Sequence, residues 1–326
     1  MRRLRARSRS RQARAAPRVL TGFREEHRAL WGHHPVRIRH SLAETGLFTD
    51  EALALLLENY PREHYDLLHM AERGTGNLKT WREGELGAVD GARAIEAIKE
   101  GRMWLNLRRV HEVSPKHARL LEDIFEELSV LVPGFDAFRL NLGILISSPG
   151  AQVYYHADVP GQSLWHIRGE KRVYLYPNCP PFLPEDQIER IVLSMTEAEI
   201  DYQPWFDDYA LTFELKPGEM LHWPLNAPHR VENLDSVNVS VTTEHWTREI
   251  RNMYAVRYAN GVLRNQLHLT PPPPATHGAS FWTRAALAAG VKTSGALKRF
   301  KMERRVDWRL DPDADDRMRT ITPYLL

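Results

Sequence analysis

The chain has 326 residues, 43% of them apolar and nine of them tryptophan, which is enough for a large domain with a substantial core. A formal net charge of +2 excludes nucleic-acid binding through overall charge, and no apolar run approaches the roughly 18 residues that span a bilayer. The single Cys179 excludes an internal disulfide and agrees with a reducing compartment, so we expect a cytoplasmic, bacterial protein.

The chain begins with a run of arginines. Seven lie between residues 2 and 14 without any acidic residue. Such a block repels itself and offers no apolar face, so residues 1–20 are predicted to be a disordered tail. The same composition would suit an organelle transit peptide, and we do not expect a nucleic-acid partner for it.

Residues 21–134 are predicted to be mostly helical and to pack on the domain that follows. A short strand is expected at 36–40, and a helix begins near Thr49 and stops before Pro61. A second helix is predicted over 91–100. A third opens at Ser114-Pro115, a good N-cap and first-turn pair, and carries apolar residues on one face until about 134.

Beyond residue 135 the pattern changes to short alternating segments separated by glycine and proline. This pattern is typical of an antiparallel sandwich or barrel, which we place at 135–250. The predicted strands are 138–147, 152–158, 163–168, 171–176, 209–215, 219–223, 228–233 and 236–245.

Two segments interrupt or follow this region. Residues 178–208 are rich in proline and acidic side chains and form a predicted insertion with a helix at 184–193. Residues 251–326 are predicted to be a helical extension that includes a stiff linker at 271–274 and a helix at 279–300.

Three polar residues stand out in the strand region. His156 and Asp158 are separated by one residue in a strand-like run, so alternation would place both side chains on one face. His229 lies at the end of a second such run. Two imidazoles and one carboxylate on one side of a metal leave other coordination positions open, as in non-haem Fe(II) oxygenases. His156, Asp158 and His229 are therefore the candidate metal ligands and catalytic residues.

These residues resemble a known family. The stretch from His156-Ala-Asp158 to the Gly169-Glu-Lys171 block, and the stretch from Gly218-Glu through Pro224 to His229, are similar to the cupin-like JmjC hydroxylases, which include the asparaginyl hydroxylase of hypoxia-inducible factor. The resemblance covers about residues 136–246. It implies an α+β protein with a double-stranded β-helix (jelly-roll or cupin) core and helical additions at both ends.

The resemblance also implies Fe(II) as cofactor with 2-oxoglutarate and O2 as co-substrates. Lys171 would bind the distal carboxylate of 2-oxoglutarate, as the matching lysine does in the family. The family's threonine three residues before the first histidine is Val153 here, so the second hydrogen-bond donor stays open. The candidates for that donor and for other contacts with the co-substrate are Tyr154, Ser147, Tyr174, Asn238, Ser240, Gln162 and His166.

Several of these histidines also have a structural interpretation. His166, His222 and His245 lie in predicted strands, where a buried histidine is commonly satisfied by a neighbouring polar group. His166 is thus either a structural residue or part of the pocket lining. His222 and His245 are predicted to be structural.

The predicted function is an Fe(II)- and 2-oxoglutarate-dependent dioxygenase that hydroxylates a C–H bond and gives succinate and CO2. Its substrate would be a small molecule or a peptide or protein side chain. The resemblance further implies a homodimer formed through the C-terminal helices. Two alternatives stay open at this point: a metal-binding cupin with other chemistry, and a non-catalytic regulatory or interaction protein.

Overall fold

The structure, a computed structural model, describes residues 19–70, 81–194, 200–295 and 304–326. The predicted disorder of residues 1–18 lies outside this part of the chain. Val19 and Leu20 belong to the same predicted tail but are buried, and Leu20 forms a bridge with His40, so the prediction was wrong for these two residues. Among the described residues, no helix is long and apolar enough to cross a membrane.

Two sheets organise the described residues. The strands, numbered along the chain, lie in the large sheet in the order β1 (Val36–Arg39), β10 (Glu219–His222), β7 (Gly161–Arg168), β12 (Asn238–Trp246), β5 (Phe138–Ser147), β4 (Met103–Leu107), β2 (Tyr65–His69), β3 (Arg82–Glu85), β13 (Arg305–Leu310) and β14 (Met318–Leu325). The small sheet has the order β6 (Gln152–His156), β11 (His229–Asn233), β8 (Lys171–Leu175) and β9 (Leu211–Leu215).

Eight α-helices surround the sheets in the described ranges. They are α1 (Glu25–Leu30), α2 (Asp50–Leu57), α3 (Gly91–Glu100), α4 (Val110–Val113), α5 (Pro115–Leu131), α6 (Glu185–Ser194), α7 (Arg248–Leu267) and α8 (Gly278–Ser294). Short 3₁₀ turns occur at Leu42–Thr45, Arg62–His64 and Pro204–Tyr209. The predicted N-cap of α2 is confirmed, because the Thr49 side chain accepts a hydrogen bond from the Ala52 N–H.

The two sheets face each other across an apolar core. Leu164 and Leu221 of the large sheet pack with Val173, Leu175 and Leu215 of the small one. The space between the sheets, called the barrel interior below, is thus lined by alternate residues of each strand. The predicted α+β class with a jelly-roll core is confirmed.

Helical layers close the two outer faces. Residues of α2, α3 and α5 pack with Met103, Leu105 and Ile144 on the outer face of the large sheet. On the outer face of the small sheet, Tyr155 and Tyr176 pack with residues of α6, α7 and α8. The helical additions at both ends therefore enclose the core.

Two predictions of purely helical flanks were wrong. Residues 21–134 also contribute β1 to β4, and residues 305–325 form the hairpin β13–β14 at the edge of the large sheet. Strand β3 has the sequence Arg-Glu-Gly-Glu and shows no apolar alternation. It is held because the Trp308 ring of β13 packs against Gly84, where a Cβ would lie only 2.2 Å from the ring. Contacts between residues more than 200 positions apart cannot be found from local periodicity.

Candidate metal site

His156 and His229 are direct cross-strand neighbours in the small sheet. His156 is the last residue of β6 and pairs with His229, the first residue of β11. Their ring centroids are 4.1 Å apart, and a register shift between His229 and Val231 marks a bulge next to the pair. Bulges commonly redirect a side chain near functional sites. Antiparallel pairing thus brings together two histidines that are 73 positions apart in the sequence.

Asp158 completes the group although it lies outside the strand. The strand predicted over 152–158 ends at His156, so Asp158 is not held by the sheet ladder. One ligand atom from each of His156, Asp158 and His229 lies within 4.8 Å of the others. Asp158 Oδ2 is 3.4 Å from His229 Nε2. The structure therefore brings the three predicted ligands to one point.

Main-chain carbonyls orient both imidazoles. His156 Nδ1 lies 2.7 Å from the carbonyl oxygen of Tyr154, and His229 Nδ1 lies 3.1 Å from that of Ala227. A carbonyl oxygen only accepts, so each Nδ1 carries the proton and each Nε2 presents a lone pair. Such outer contacts fix the tautomer of metal-binding histidines.

The electrostatics of the group favour a cation. Burial, with the nearby Glu244, raises the pKa of Asp158 well above its ordinary value, and Asp158 Oδ2 is buried without a hydrogen-bond partner. Burial, with His156 beside it, lowers the pKa of His229 well below its usual range. A metal ion would satisfy the carboxylate oxygen and both lone pairs together. The residues present therefore fit a metal.

Lys171 lies in the barrel interior, on the same small sheet. It is 3% exposed, and burial lowers its pKa to about 7. No hydrogen bond or ion pair links its ammonium group to another described residue. Lys171 pairs with Asn233 while Leu175 pairs with His229, so it lies four residues along the strand from the metal group, roughly 13 Å. A buried ammonium without a partner is a natural contact for an anion.

His166 and Ser240 use their polar atoms on each other and on the main chain. His166 Nε2 donates to the Gly169 carbonyl oxygen at 2.8 Å, and the Ser240 hydroxyl donates to Nδ1 at 3.0 Å. Burial and Lys171 lower the pKa of His166 to about 3, which keeps the ring neutral. Neither ring nitrogen is left for a ligand, which favours the structural interpretation. Asn238 similarly donates to the carbonyls of Glu170 and Ser236.

The remaining predicted contacts divide between the two faces of the small sheet. Tyr174 alternates with Lys171 on β8, and its hydroxyl donates to Glu232, so it lies on the outer face. Ser147 is buried and accepts a hydrogen bond from Asn233, the cross-strand partner of Lys171. Ser147 is therefore better placed than Tyr174 as a second donor near Lys171.

At the metal end, Tyr154 and Gln162 are near the ligands for different reasons. Tyr154 precedes His156 by two residues, and its ring lies 5.2 Å from that of Trp81, which in turn lies 5.8 Å from Trp104. Gln162 pairs with Glu244 across β7 and β12.

Glu244 was not among the predicted site residues. It accepts a hydrogen bond from Asn141 at 3.1 Å, and burial raises its pKa. Alternation along β12 from Asn238 and Ser240 would have placed Glu244 on the inner face, so the sequence held a signal for it. His222 and His245, predicted to be structural, are both buried away from the metal group, and His222 Nδ1 donates to the Gln162 carbonyl.

The fold and the group of two histidines and one carboxylate define a cupin-type β-sandwich with a candidate metal site. Residues 105–250 match the family model of the cupin-like domain, and this segment contains all three ligands and Lys171. The chain thus contains a cupin-like domain. No curated protein sequence matches it significantly.

Solved structures with a similar fold include enzymes of two kinds. YcfD from Escherichia coli is 16% identical, with 86% of this chain and 71% of that chain covered and a TM-score of 0.49. A second structure of YcfD, described as a ribosomal oxygenase in complex with cobalt and 2-oxoglutarate, is 17% identical, with coverages of 82% and 66% and a TM-score of 0.46. The DMSP lyase DddQ from Ruegeria pomeroyi is 12% identical, with coverages of 33% and 38% and a TM-score of 0.21.

Proposed function

We propose that the chain is an Fe(II)- and 2-oxoglutarate-dependent dioxygenase that hydroxylates a C–H bond of a small molecule or of a peptide side chain. The observation that carries this proposal is the convergence of His156, Asp158 and His229, with both Nε2 atoms and one carboxylate oxygen left without other partners. When bound, Fe(II) with 2-oxoglutarate and O2 supplies the oxidising chemistry, and the co-substrate leaves as succinate and CO2.

In this proposal the chain's own residues divide the binding work. His156, Asp158 and His229 hold Fe(II) on one side and leave its other side open. Lys171 pairs with the distal carboxylate of 2-oxoglutarate, whose keto-acid end faces the metal. A lysine side chain and a five-carbon dicarboxylate together span a separation of the order found between Lys171 and His229. Binding would supply the buried ammonium with the counter-charge that the described residues do not provide.

The aromatic group of Trp81, Trp104 and Tyr154 is proposed to form the wall against which the substrate packs. All three side chains are partly exposed, and Tyr154 is tied to the metal group through its carbonyl contact with His156. Such a wall would position the target C–H bond and exclude water from the metal.

The test is an anaerobic titration with Fe(II) followed by 2-oxoglutarate, monitored by the weak visible charge-transfer band of the chelate. We expect the band in the wild type, its loss in His156→Ala and its weakening in Lys171→Ala. A suitable control is His117→Ala, because His117 is another buried histidine, on α5 and away from the metal group. It should keep the band.

Other results would point to the alternatives. Tight metal binding without a band would favour a cupin with different chemistry. A folded wild type that binds no divalent metal would contradict the proposal and favour a non-catalytic role.

The homodimer through the C-terminal helices stays a prediction. Helices α7 and α8 pack together, and α8 exposes 70% of the Trp282 surface. We propose that Trp282 lies in the dimer contact. Light scattering should then show a dimer for the wild type and a monomer for Trp282→Arg, whereas an unchanged mass for both proteins would contradict the contact.

A further inference from the structure

The turn between β10 and β11 contacts two of the three candidate ligands. Its Pro224 carbonyl accepts a hydrogen bond from the Ala227 N–H at 3.0 Å, and Asn226 lies at the third position with φ of 58°. Asparagine tolerates this left-handed conformation better than most residues. The Ala227 carbonyl orients His229, while the Asn226 side chain reaches Asp158.

The orientation of the Asn226 amide is determined by its two partners. Its Nδ2 donates to the main-chain carbonyl of Asp158, and its Oδ1 accepts from Arg257 Nη1 at 2.5 Å. A guanidinium only donates and a carbonyl oxygen only accepts, so the amide fits in one orientation. The positive charge on Arg257 also polarises the amide and strengthens the bond to Asp158.

Arg257 connects this turn to the helical layer behind the small sheet. It lies on α7, and its guanidinium forms an ion pair with Glu185 of α6 at 3.2 Å. The Arg257 side chain is only 12% exposed. Seven residues further along α7, Arg264 pairs with Glu189 of α6 at 2.8 Å without contacting the turn. The two ion pairs join the same helices, and only one of them reaches Asn226.

We infer that Asn226 and Arg257 are positioning residues for the metal ligand Asp158, an inference that rests on the proposed function. Asp158 follows the last residue of β6 and lacks the ladder bonds that hold His156 and His229. Its main chain is held by Asn226 instead. Removing a group that orients a ligand commonly lowers metal affinity by about 10- to 100-fold.

The experiment measures Co(II) affinity and the visible spectrum of bound Co(II) in the full chain, under anaerobic conditions. Asn226→Gly tolerates the turn but loses both side-chain bonds. Asn226→Asp keeps the acceptor for Arg257 but loses the donor to Asp158. Each should lower Co(II) affinity by about 10- to 100-fold and alter the spectrum. Arg257→Met should lower it about tenfold, through the loosened amide.

The matched control is Arg264→Met, which removes the neighbouring ion pair between the same two helices. It should keep Co(II) affinity within about twofold of the wild type, whatever its thermal unfolding shows. Wild-type affinity and spectrum in folded Asn226→Asp and Arg257→Met would overturn the inference. An equal loss in Arg264→Met would show that general helix packing is responsible and would also overturn it for Arg257.

The failure of the proposed function would be visible separately. If the wild type does not bind Co(II), or if His156→Ala binds it equally well, the metal site itself is wrong and the inference falls with it. If His156→Ala abolishes binding while the Asn226 variants bind as the wild type does, only the positioning role is contradicted.

Discussion

The two ends of the barrel interior solve opposite electrostatic problems. At the metal end, His156, Asp158 and His229 present lone pairs and a carboxylate that have no donor among the described residues. At the other end, Lys171 presents a buried ammonium without an anion. Burying either end unpaired costs free energy, and neither can reach the other directly. A metal together with a dicarboxylate would satisfy both ends, and the following changes test each of them.

The largest effect is expected at the metal end. His229→Ala removes one of three ligands and should lower Fe(II) or Co(II) affinity at least about a hundredfold, because two ligands on one side of a metal hold it far less well. Isothermal titration under anaerobic conditions measures this. His117→Ala, which removes a similarly buried histidine, should bind as the wild type does. Equal affinity in His229→Ala would remove His229 from the site.

A change at the other end should separate metal from co-substrate. Lys171→Met removes the charge at similar volume and should weaken 2-oxoglutarate binding by at least about 30-fold, the equivalent of roughly 2 kcal/mol for a buried charged contact. Metal affinity should stay within about twofold, since Lys171 is not a ligand. The exposed Lys216→Met is the control and should change neither. A parallel loss of metal and 2-oxoglutarate in Lys171→Met would argue that the two ends are not independent.

The pKa of Lys171 predicts a pH dependence confined to the co-substrate. Burial lowers this pKa to about 7, so the ammonium is lost as the pH rises through 7, and the charged form is the one that binds a carboxylate. At saturating metal, the Kd for 2-oxoglutarate should rise about fivefold between pH 7 and pH 8. The profile of Lys171→Met should be flat. An unchanged Kd over this range in the wild type would contradict the role of the lysine.

The smallest effect tests a residue that the sequence placed at the co-substrate. Ser240→Ala removes the hydroxyl that donates to His166 and should lower the free energy of unfolding by about 1 kcal/mol. Because that hydroxyl is already used, 2-oxoglutarate affinity should stay within about twofold. Denaturant unfolding and a binding titration measure the two quantities. A clear loss of 2-oxoglutarate affinity would restore the direct contact that the sequence predicted.

The candidate site was predictable where local pattern and chemistry coincide. His156 and His229 end and begin strands whose alternation is visible in the sequence, and the unusual burial of Lys171 follows from its alternation with Val173 on β8. His166 shows the limit of such a pattern, because alternation places it in the interior but cannot tell that Gly169 and Ser240 occupy its nitrogens.

By itself, the sequence determined the class of the core, most of its strands and the residue types of the candidate metal site, because strand periodicity and ligand chemistry are local properties. Tertiary structure alone decided how Asp158 is held, since Asn226 and Arg257 are 68 and 99 positions away from it. It also decided that residues 305–325 form an edge hairpin rather than helices, because Trp308 needs the bare backbone of Gly84 to pack against. Hydrogen bonds and packing over such separations depend on the folded chain and leave no period in the sequence.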